Sequence, residues 1–228
     1  MKIVFDIETA GYDFETLSES QQEYLLRYVE QEPDETKKML LKEEAIRYTS
    51  LYPLTSKVIA IAMLNIETGG TLILYEGEES EDYIIEEKNL KYKSVPEEKM
   101  LTLFWEYVKK TEQVITFNGR LFDVPFLMIR SAMLKIKPTK NLIGNRYDKT
   151  THIDLLDQFT FHGLTRKFNL DFYCKAFNIE SPKSKGVTGM EVKELYSAGR
   201  IKDIAVYCGE DVKATYELYK IWNEYLNL

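Results

Sequence analysis

The chain has 228 residues, 44 % of them apolar and 13 % aromatic, a composition that supports one compact core and excludes a disordered polymer. Its net charge of -7 excludes a polycation that wraps nucleic acid by bulk attraction, although a basic rim or bound cations can reverse the potential at one site. Two cysteines, Cys174 and Cys208, are too few for a disulfide framework and lack the spacing of a zinc site, so both read as small buried hydrophobes.

The first element is a strand, Met1 to Thr9. Its alternation puts Val4, Asp6 and Glu8 on one face and Phe5 and Ile7 on the other. Two carboxylates at the end of a buried strand repel each other, and burial disfavours their charged forms unless a cation compensates. A hard divalent ion, which prefers carboxylate oxygen, suits that arrangement; a strand whose last polar residues merely reach solvent is the plain alternative. The acids also break the early apolar run, so no secretory segment is expected. The longest apolar run, Val58 to Leu64, falls well short of the roughly 20 residues of a membrane span, and a cytoplasmic address is expected.

A loop follows, and then Ser18 with Gln21, or Ser20 with Glu23, offers a capping box for a helix carrying Tyr24, Leu25, Tyr28 and Val29. Pro33 ends it, and a second charged helix spans about Asp34 to Tyr48, with Met39, Leu40 and Ile46 on a partly apolar face. This helical insertion, about residues 11–50, is expected beside the Asp6 and Glu8 edge, either as a cover for the sheet or as a guide for substrate. Lys57 to Ile66 reads as a central strand, joined through Glu67-Thr68-Gly69-Gly70 to a partner, Thr71 to Tyr75. The next twenty or so residues, rich in glutamate from Glu76 to Glu87 against Lys88, Lys91 and Lys93, read as solvated surface.

Pro96-Glu97-Glu98 opens a helix whose Met100, Leu101, Phe104, Trp105 and Val108 form a core-facing stripe. Gln113 to Phe117 is a short buried strand, and Pro125 places Asp123 at the N-terminal end of a helix running to about Leu134, where a carboxylate is also an ordinary cap. Residues 136–149 read as a loop, Thr151 to Leu155 as a strand, and Asn169 to Phe177 as a helix. A basic loop from Ser181 to Gly189, with Lys183 and Lys185, leads to a last long helix from about Ile201 to Tyr225. On it Tyr207 and Asp211, four apart, share a face. The order predicts an α/β fold: a mixed five-stranded sheet with helices on both faces, antiparallel among the early strands and parallel where helices intervene. Residues 1–228 are expected to form a single domain.

Three stretches then stand out: Phe5-Asp6-Ile7-Glu8-Thr9, Asn118-Gly119-Arg120-Leu121-Phe122-Asp123 and Tyr207-Cys208-Gly209-Glu210-Asp211. In this order they resemble the three motifs of ribonuclease H-like 3′-5′ exonucleases, in the branch with tyrosine before the final aspartate. They are most similar to the proofreading domain of family B DNA polymerases and its stand-alone relatives. The resemblance implies that Asp6, Glu8, Asp123 and Asp211 hold two divalent metal ions, Mg2+ or Mn2+, with Asp6 bridging them. It implies that Tyr207 orients the attacking water and that Glu8 accepts a hydrogen bond from the terminal 3′-hydroxyl. Thr9 would meet the terminal nucleotide, Asn118 would fix either that nucleotide or the local turn, and Phe5 and Phe122 would either wedge against a base or belong to the core. Arg120, Arg166 and Lys167, with Lys183 and Lys185 behind them, would contact phosphates. Single-stranded DNA is the expected partner and RNA the alternative; an inactive nucleic-acid-binding or assembly module is the remaining reading. The insertion is not required by the three motifs.

Overall fold

The computed structural model describes residues 1–78, 82–182 and 191–227. A seven-stranded mixed sheet in the order β4-β5-β3-β2-β1-β6-β7 runs through the molecule. The strands are β1 (Lys2–Gly11), β2 (Ser56–Asn65), β3 (Thr71–Glu76), β4 (Asp82–Ile85), β5 (Leu90–Val95), β6 (Gln113–Thr116) and β7 (His152–Asp154). The helices are α1 (Glu19–Leu26), α2 (Glu35–Tyr48), α3 (Glu97–Val108), α4 (Asp123–Met133), α5 (Leu155–Phe159), α6 (Leu170–Ala176), α7 (Val192–Ser197) and α8 (Ile201–Tyr225). As expected, β1, β2 and β3 pair antiparallel, whereas β6 joins β1 and β7 joins β6 in parallel.

The strand count is the correction. The stretch read as solvated surface holds two more strands: β5 runs parallel to β3, and β4 pairs antiparallel with β5. In β5, Leu90, Tyr92 and Ser94 alternate with Lys91 and Lys93, so one face packs while the other carries charge. Tyr83 of β4 stacks on Tyr92 at 4.5 Å between ring centres, a cross-strand pair that stabilises this edge.

β1 is central, and its alternation sorts the two faces. Val4 packs with Ala60, Ala62, Ile73 and Ile115 against Cys208, Val212, Leu218 and Trp222 of α8. Phe5 and Ile7 pack with Ile61, Met63 and Leu74 against α3 and α4. Phe5 is fully buried, edge-on to Phe104 at 5.2 Å, and is therefore a core residue that cannot wedge against a base. Trp105 is core as predicted, its indole donating to Ser131 Oγ at 2.8 Å. No helix among the described residues is long and apolar enough to cross a membrane.

The insertion between β1 and β2 comprises α1, α2 and short 3-10 turns at Val29–Gln31 and Thr49–Leu51. The Ser18 capping option is the one formed, its N–H donating to Gln21 Oε1 at 3.0 Å. Neither α1 nor α2 buries a residue. The insertion is nevertheless fastened at its end. Thr9 Oγ1 donates to the Ser50 carbonyl at 2.7 Å, Thr55 Oγ1 to the Thr49 carbonyl at 2.7 Å, and the Tyr12 N–H to the Thr55 carbonyl at 2.9 Å.

Candidate active site

Where β1 outruns β6, its backbone needs new partners. The two strands pair only from Lys2 to Val4, so the N–H of Ile7 lies beyond their ladder. Asp123 Oδ1 accepts it at 3.1 Å, which couples the first turn of α4 to the acidic end of β1. Beyond it, a register shift between Glu8 and Thr9 bends the strand where its carboxylates emerge.

The loop from Asn118 to Phe122 is held by an acid outside the three motifs. Asp154, at the end of β7 and almost fully buried, accepts from the backbone N–H groups of Asn118 and Arg120, each at 2.9 Å, and of Leu156 at 3.0 Å. Asn118 sits at φ +65°, a left-handed turn position that asparagine tolerates, and its carbonyl accepts from Leu121 and Phe122. A Cβ on Gly119 would lie 2.4 Å from Thr116 Oγ1, so only glycine fits there. Beneath the loop, His152 hydrogen-bonds Thr116 Oγ1 at 2.8 Å through Nε2 and the Leu142 carbonyl at 3.0 Å through Nδ1. Burial lowers its pKa to about 4, so it is neutral, with the proton on Nδ1 facing the carbonyl.

The third group comes from α8, which approaches the sheet closely at Gly209, where an added Cβ would sit 2.9 Å from Ile73 Cδ1. That approach carries Asp211 to Asp6 and Glu8, and carboxylate oxygens of these three lie within 4.8 Å of one another. Asp123 stands outside this group but lines the same cavity of about 540 Å³. Tyr207, packed among Ala10, Ile59, Val192, Leu195 and Ile204, lines it too, and its hydroxyl hydrogen-bonds Asp211.

The electrostatics are those of an acid cluster held together by the fold. Burial pushes the Asp6 and Glu8 carboxyls well above the ordinary range, and the repulsion of neighbouring acids adds to it. Burial raises Asp123 to about 7 against the hydrogen bonds from its own N–H and that of Ile7. Burial and nearby carboxylates push the Tyr207 hydroxyl far above its usual value, so it remains a neutral donor. This donor set, all carboxylate oxygen at close range, fits a hard divalent ion.

The structure divides the remaining expected residues. Thr9, Asn118 and Phe122 line the cavity. Arg120 does not: its guanidinium donates to the carbonyls of Ile143 at 2.5 Å, His152 at 2.9 Å and Asp148 at 3.2 Å, which makes it a brace for the 136–149 loop. Arg166 and Lys167 are exposed outside the lining, Arg166 lying 5.2 Å over the Phe168 ring. Lys183 and Lys185 lie outside the described residues. Among the described residues, the cations that line the cavity are Arg47, at the end of α2, and Lys193, on α7. Neither belongs to a motif, and nothing local marks either among its charged neighbours. Asp154 did carry a signal, an acid between a β-rich run and a helix start, where its side chain caps α5.

A mixed sheet whose interior strand β1 carries clustered carboxylates, completed by an aspartate from a long helix across its face, defines a ribonuclease H-like, metal-dependent nuclease domain. Residues 51–225 match the family described as a predicted 3′-5′ exonuclease related to the exonuclease domain of PolB, and the chain belongs to that family. The match takes in the second and third motifs, while Asp6 and Glu8 precede it. The chain is 30 % identical over 165 residues to a DNA polymerase of Pyrococcus glycovorans, covering 64 % of this chain and 21 % of the polymerase. It is 31 % identical over 144 residues to one from Desulfurococcus sp. (strain Tok), covering 54 % and 18 %. The chain thus spans about a fifth of the length of these relatives. The family B DNA polymerase of Pyrobaculum calidifontis shares the fold, with a TM-score of 0.60 at 16 % identity over 97 % of this chain and 24 % of that one.

Proposed function

We propose that the protein is a 3′-5′ exonuclease that hydrolyses the terminal phosphodiester of single-stranded DNA and releases 5′-mononucleotides. The observation that carries this reading is the convergence of Asp6, Glu8 and Asp211 within 4.8 Å in a cavity that Asp123 and Tyr207 also line. Asp6, Glu8, Asp211 and Asp123 would hold two divalent ions, Mg2+ or Mn2+. Bound there, the ions supply positive charge to the attacking and leaving oxygens of an in-line displacement at phosphorus.

The chain's own groups do the rest. Tyr207, kept neutral with its proton directed at Asp211, accepts a hydrogen bond from the attacking water and orients it without acting as its base. Water adds to the terminal phosphorus and the bond to the preceding 3′-oxygen breaks, which leaves a 5′-mononucleotide and a shortened strand with a new 3′-hydroxyl. Glu8 accepts from the terminal 3′-hydroxyl, which favours an end over an internal linkage. Asn118, Phe122 and Thr9 surround the last nucleotide. The preference for DNA rests on the relatives, both named DNA polymerases. The preference for a single strand rests on the recess, because a paired end must first fray at about 1 to 2 kcal/mol per base-pair step.

The deciding experiment digests 5′-labelled single-stranded DNA and RNA of one sequence with Mg2+, Mn2+ or chelator. A descending ladder on DNA, abolished by chelator and by a 3′-phosphate, is expected. Immediate release of the labelled 5′ nucleotide would reverse the direction, faster digestion of RNA would replace the substrate, and no digestion with either metal would reject the nuclease.

A further inference from the structure

A second depression adjoins the acidic cavity. Arg47, Tyr48, Ser50 and Leu51 form one wall of that cavity, and the chain passes directly from them into Tyr52 to Thr55, which line an apolar groove. Its other sides come from Tyr24, Leu25, Arg27 and Tyr28 of the insertion and from Ile129 of α4. The groove displays aromatic rings to solvent: Tyr24 is 64 % exposed, Tyr28 68 % and Tyr52 49 %. The Arg27 guanidinium lies 3.7 Å from the Tyr24 ring centre and 4.5 Å from that of Tyr28. Among the described residues that line the groove there is no carboxylate, in a chain of net charge -7.

These rings do not serve the core, since each leaves about half or more of its surface in solvent. Aromatic faces beside a guanidinium plane are the surface on which unpaired bases stack, and a patch without acids is where a phosphate backbone can approach an acidic protein. We infer that this groove binds single-stranded nucleic acid upstream of the 3′ end, holding the strand that leaves the acidic cavity across the Thr49–Leu51 turn. The inference rests on the nuclease reading of that cavity and adds to it a binding surface supplied largely by the insertion. The family match begins only at residue 51, so Tyr24, Arg27 and Tyr28 precede the residues it matches.

The test pairs a Tyr24→Ala/Tyr28→Ala double variant with a Tyr24→Phe/Tyr28→Phe double variant. Binding of labelled oligothymidylate is measured by fluorescence anisotropy in chelator, with a trinucleotide that fills only the acidic cavity and with a long strand. Cleavage of both is followed with Mn2+. Stacking on an aromatic side chain is worth about 1 to 3 kcal/mol per base, so loss of the rings should weaken long-strand binding by about fivefold or more. The phenylalanine variant should bind like wild type, because it keeps the ring faces, and the loss should not extend to the trinucleotide. Unchanged melting temperatures exclude misfolding, and Tyr225→Ala, a ring 66 % exposed at the far end of α8, should change neither length. Equal weakening for both lengths, or none for either, would overturn the inference. So would loss of self-association in sedimentation with long-strand binding intact, which would make the groove a protein interface. Wild-type protein that binds long strands through these tyrosines and cleaves none would retain the groove and reject the nuclease reading alone.

Discussion

Two regions wall the same cavity. Its floor is drawn from β1, α4 and α8, where Glu8, Asp123 and Asp211 are at most 9 % exposed and their placement follows from the packing of the sheet. One side of its rim comes from the insertion, whose two helices bury no residue and whose Tyr48 is 41 % exposed. The difference separates two jobs. On the proposed nuclease reading, groups that would meet a reacting phosphorus sit on elements that cannot shift without dismantling the core, whereas groups that would touch a strand passing through sit where local movement is cheap. Floor variants should therefore change the chemical rate, and rim variants should change binding.

The largest effect belongs to the floor. Asp6→Ala and Asp211→Ala should each lower the single-turnover rate by orders of magnitude while the fold survives, and calorimetry should show weaker divalent-ion binding. Removing one buried acid relieves repulsion, so the metal-free variants should melt no lower than wild type. Wild-type turnover in pure Asp6→Ala would remove the floor from the reaction. Tyr207→Phe comes next. It keeps the packed ring and loses only the hydroxyl, so a fall of roughly 10²- to 10⁴-fold in single-turnover rate is expected with metal affinity unchanged. A rate equal to wild type would make Tyr207 a packing residue.

The legibility of the sequence divides along the same line. Asp6, Glu8, Asp123, Tyr207 and Asp211 are brought to one cavity because their motifs sit on regular elements, whose periodicity can be read from apolar spacing. The rim offered no such handle. Arg47 reaches the cavity through the fastening of the Thr49–Leu51 turn to Thr9, a contact across 41 residues that no local pattern encodes. Strands β4 and β5 were hidden for another reason, since lysines alternating with Leu90 and Tyr92 read as charge when counted and as a strand only when phased. Arg120 misled because its motif position placed it near the acids, while the carbonyls of Ile143, Asp148 and His152 took its donors.

Asp154 tests whether the floor needs its support. Asp154→Ala leaves the N–H groups of Asn118, Arg120 and Leu156 without their buried acceptor, at about 1 to 3 kcal/mol for each group left unsatisfied. A melting temperature lower by several degrees is expected, together with a reduced rate at saturating substrate, because Asp123 follows the loop that Asp154 holds. An undisturbed rate in the destabilised variant would show that α4 alone positions Asp123.

The pH dependence of stability should carry the signature of the acid cluster. Asp6, Glu8 and Asp123 have raised pKa values when folded, so between the ordinary carboxylate range near 4 and the Asp123 value of about 7 the folded protein binds more protons than the unfolded chain. Stability of the metal-free protein therefore falls as pH rises through that window. His152 acts in the opposite sense between about 4 and 6.5, where its lowered pKa favours the folded state as pH rises. The difference in melting temperature with and without Mn2+ isolates the cluster, because Mn2+ competes with its protons. That difference should be small near pH 5 and grow toward pH 8. A difference independent of pH would place the ion elsewhere.

The smallest effect belongs to Arg47, and it sharpens the comparison most. Its side chain is 48 % exposed, and the Glu44 carboxylate stands off at 4.0 Å, so the guanidinium can turn to a phosphate at the cavity wall. An exposed charge pair is worth about 1 kcal/mol or less, so Arg47→Ala should raise KM by about fivefold at most. Loss of one phosphate contact on a single strand should also flatten the slope of log affinity against log salt by about 0.7. The rate at saturation should not change, since Arg47 touches the strand and not the reacting atoms. Arg47→Lys should restore the salt slope, because a point charge is enough to release a counterion. A drop in saturating rate comparable to that of Tyr207→Phe would end the division between floor and rim, placing the insertion within the reacting centre.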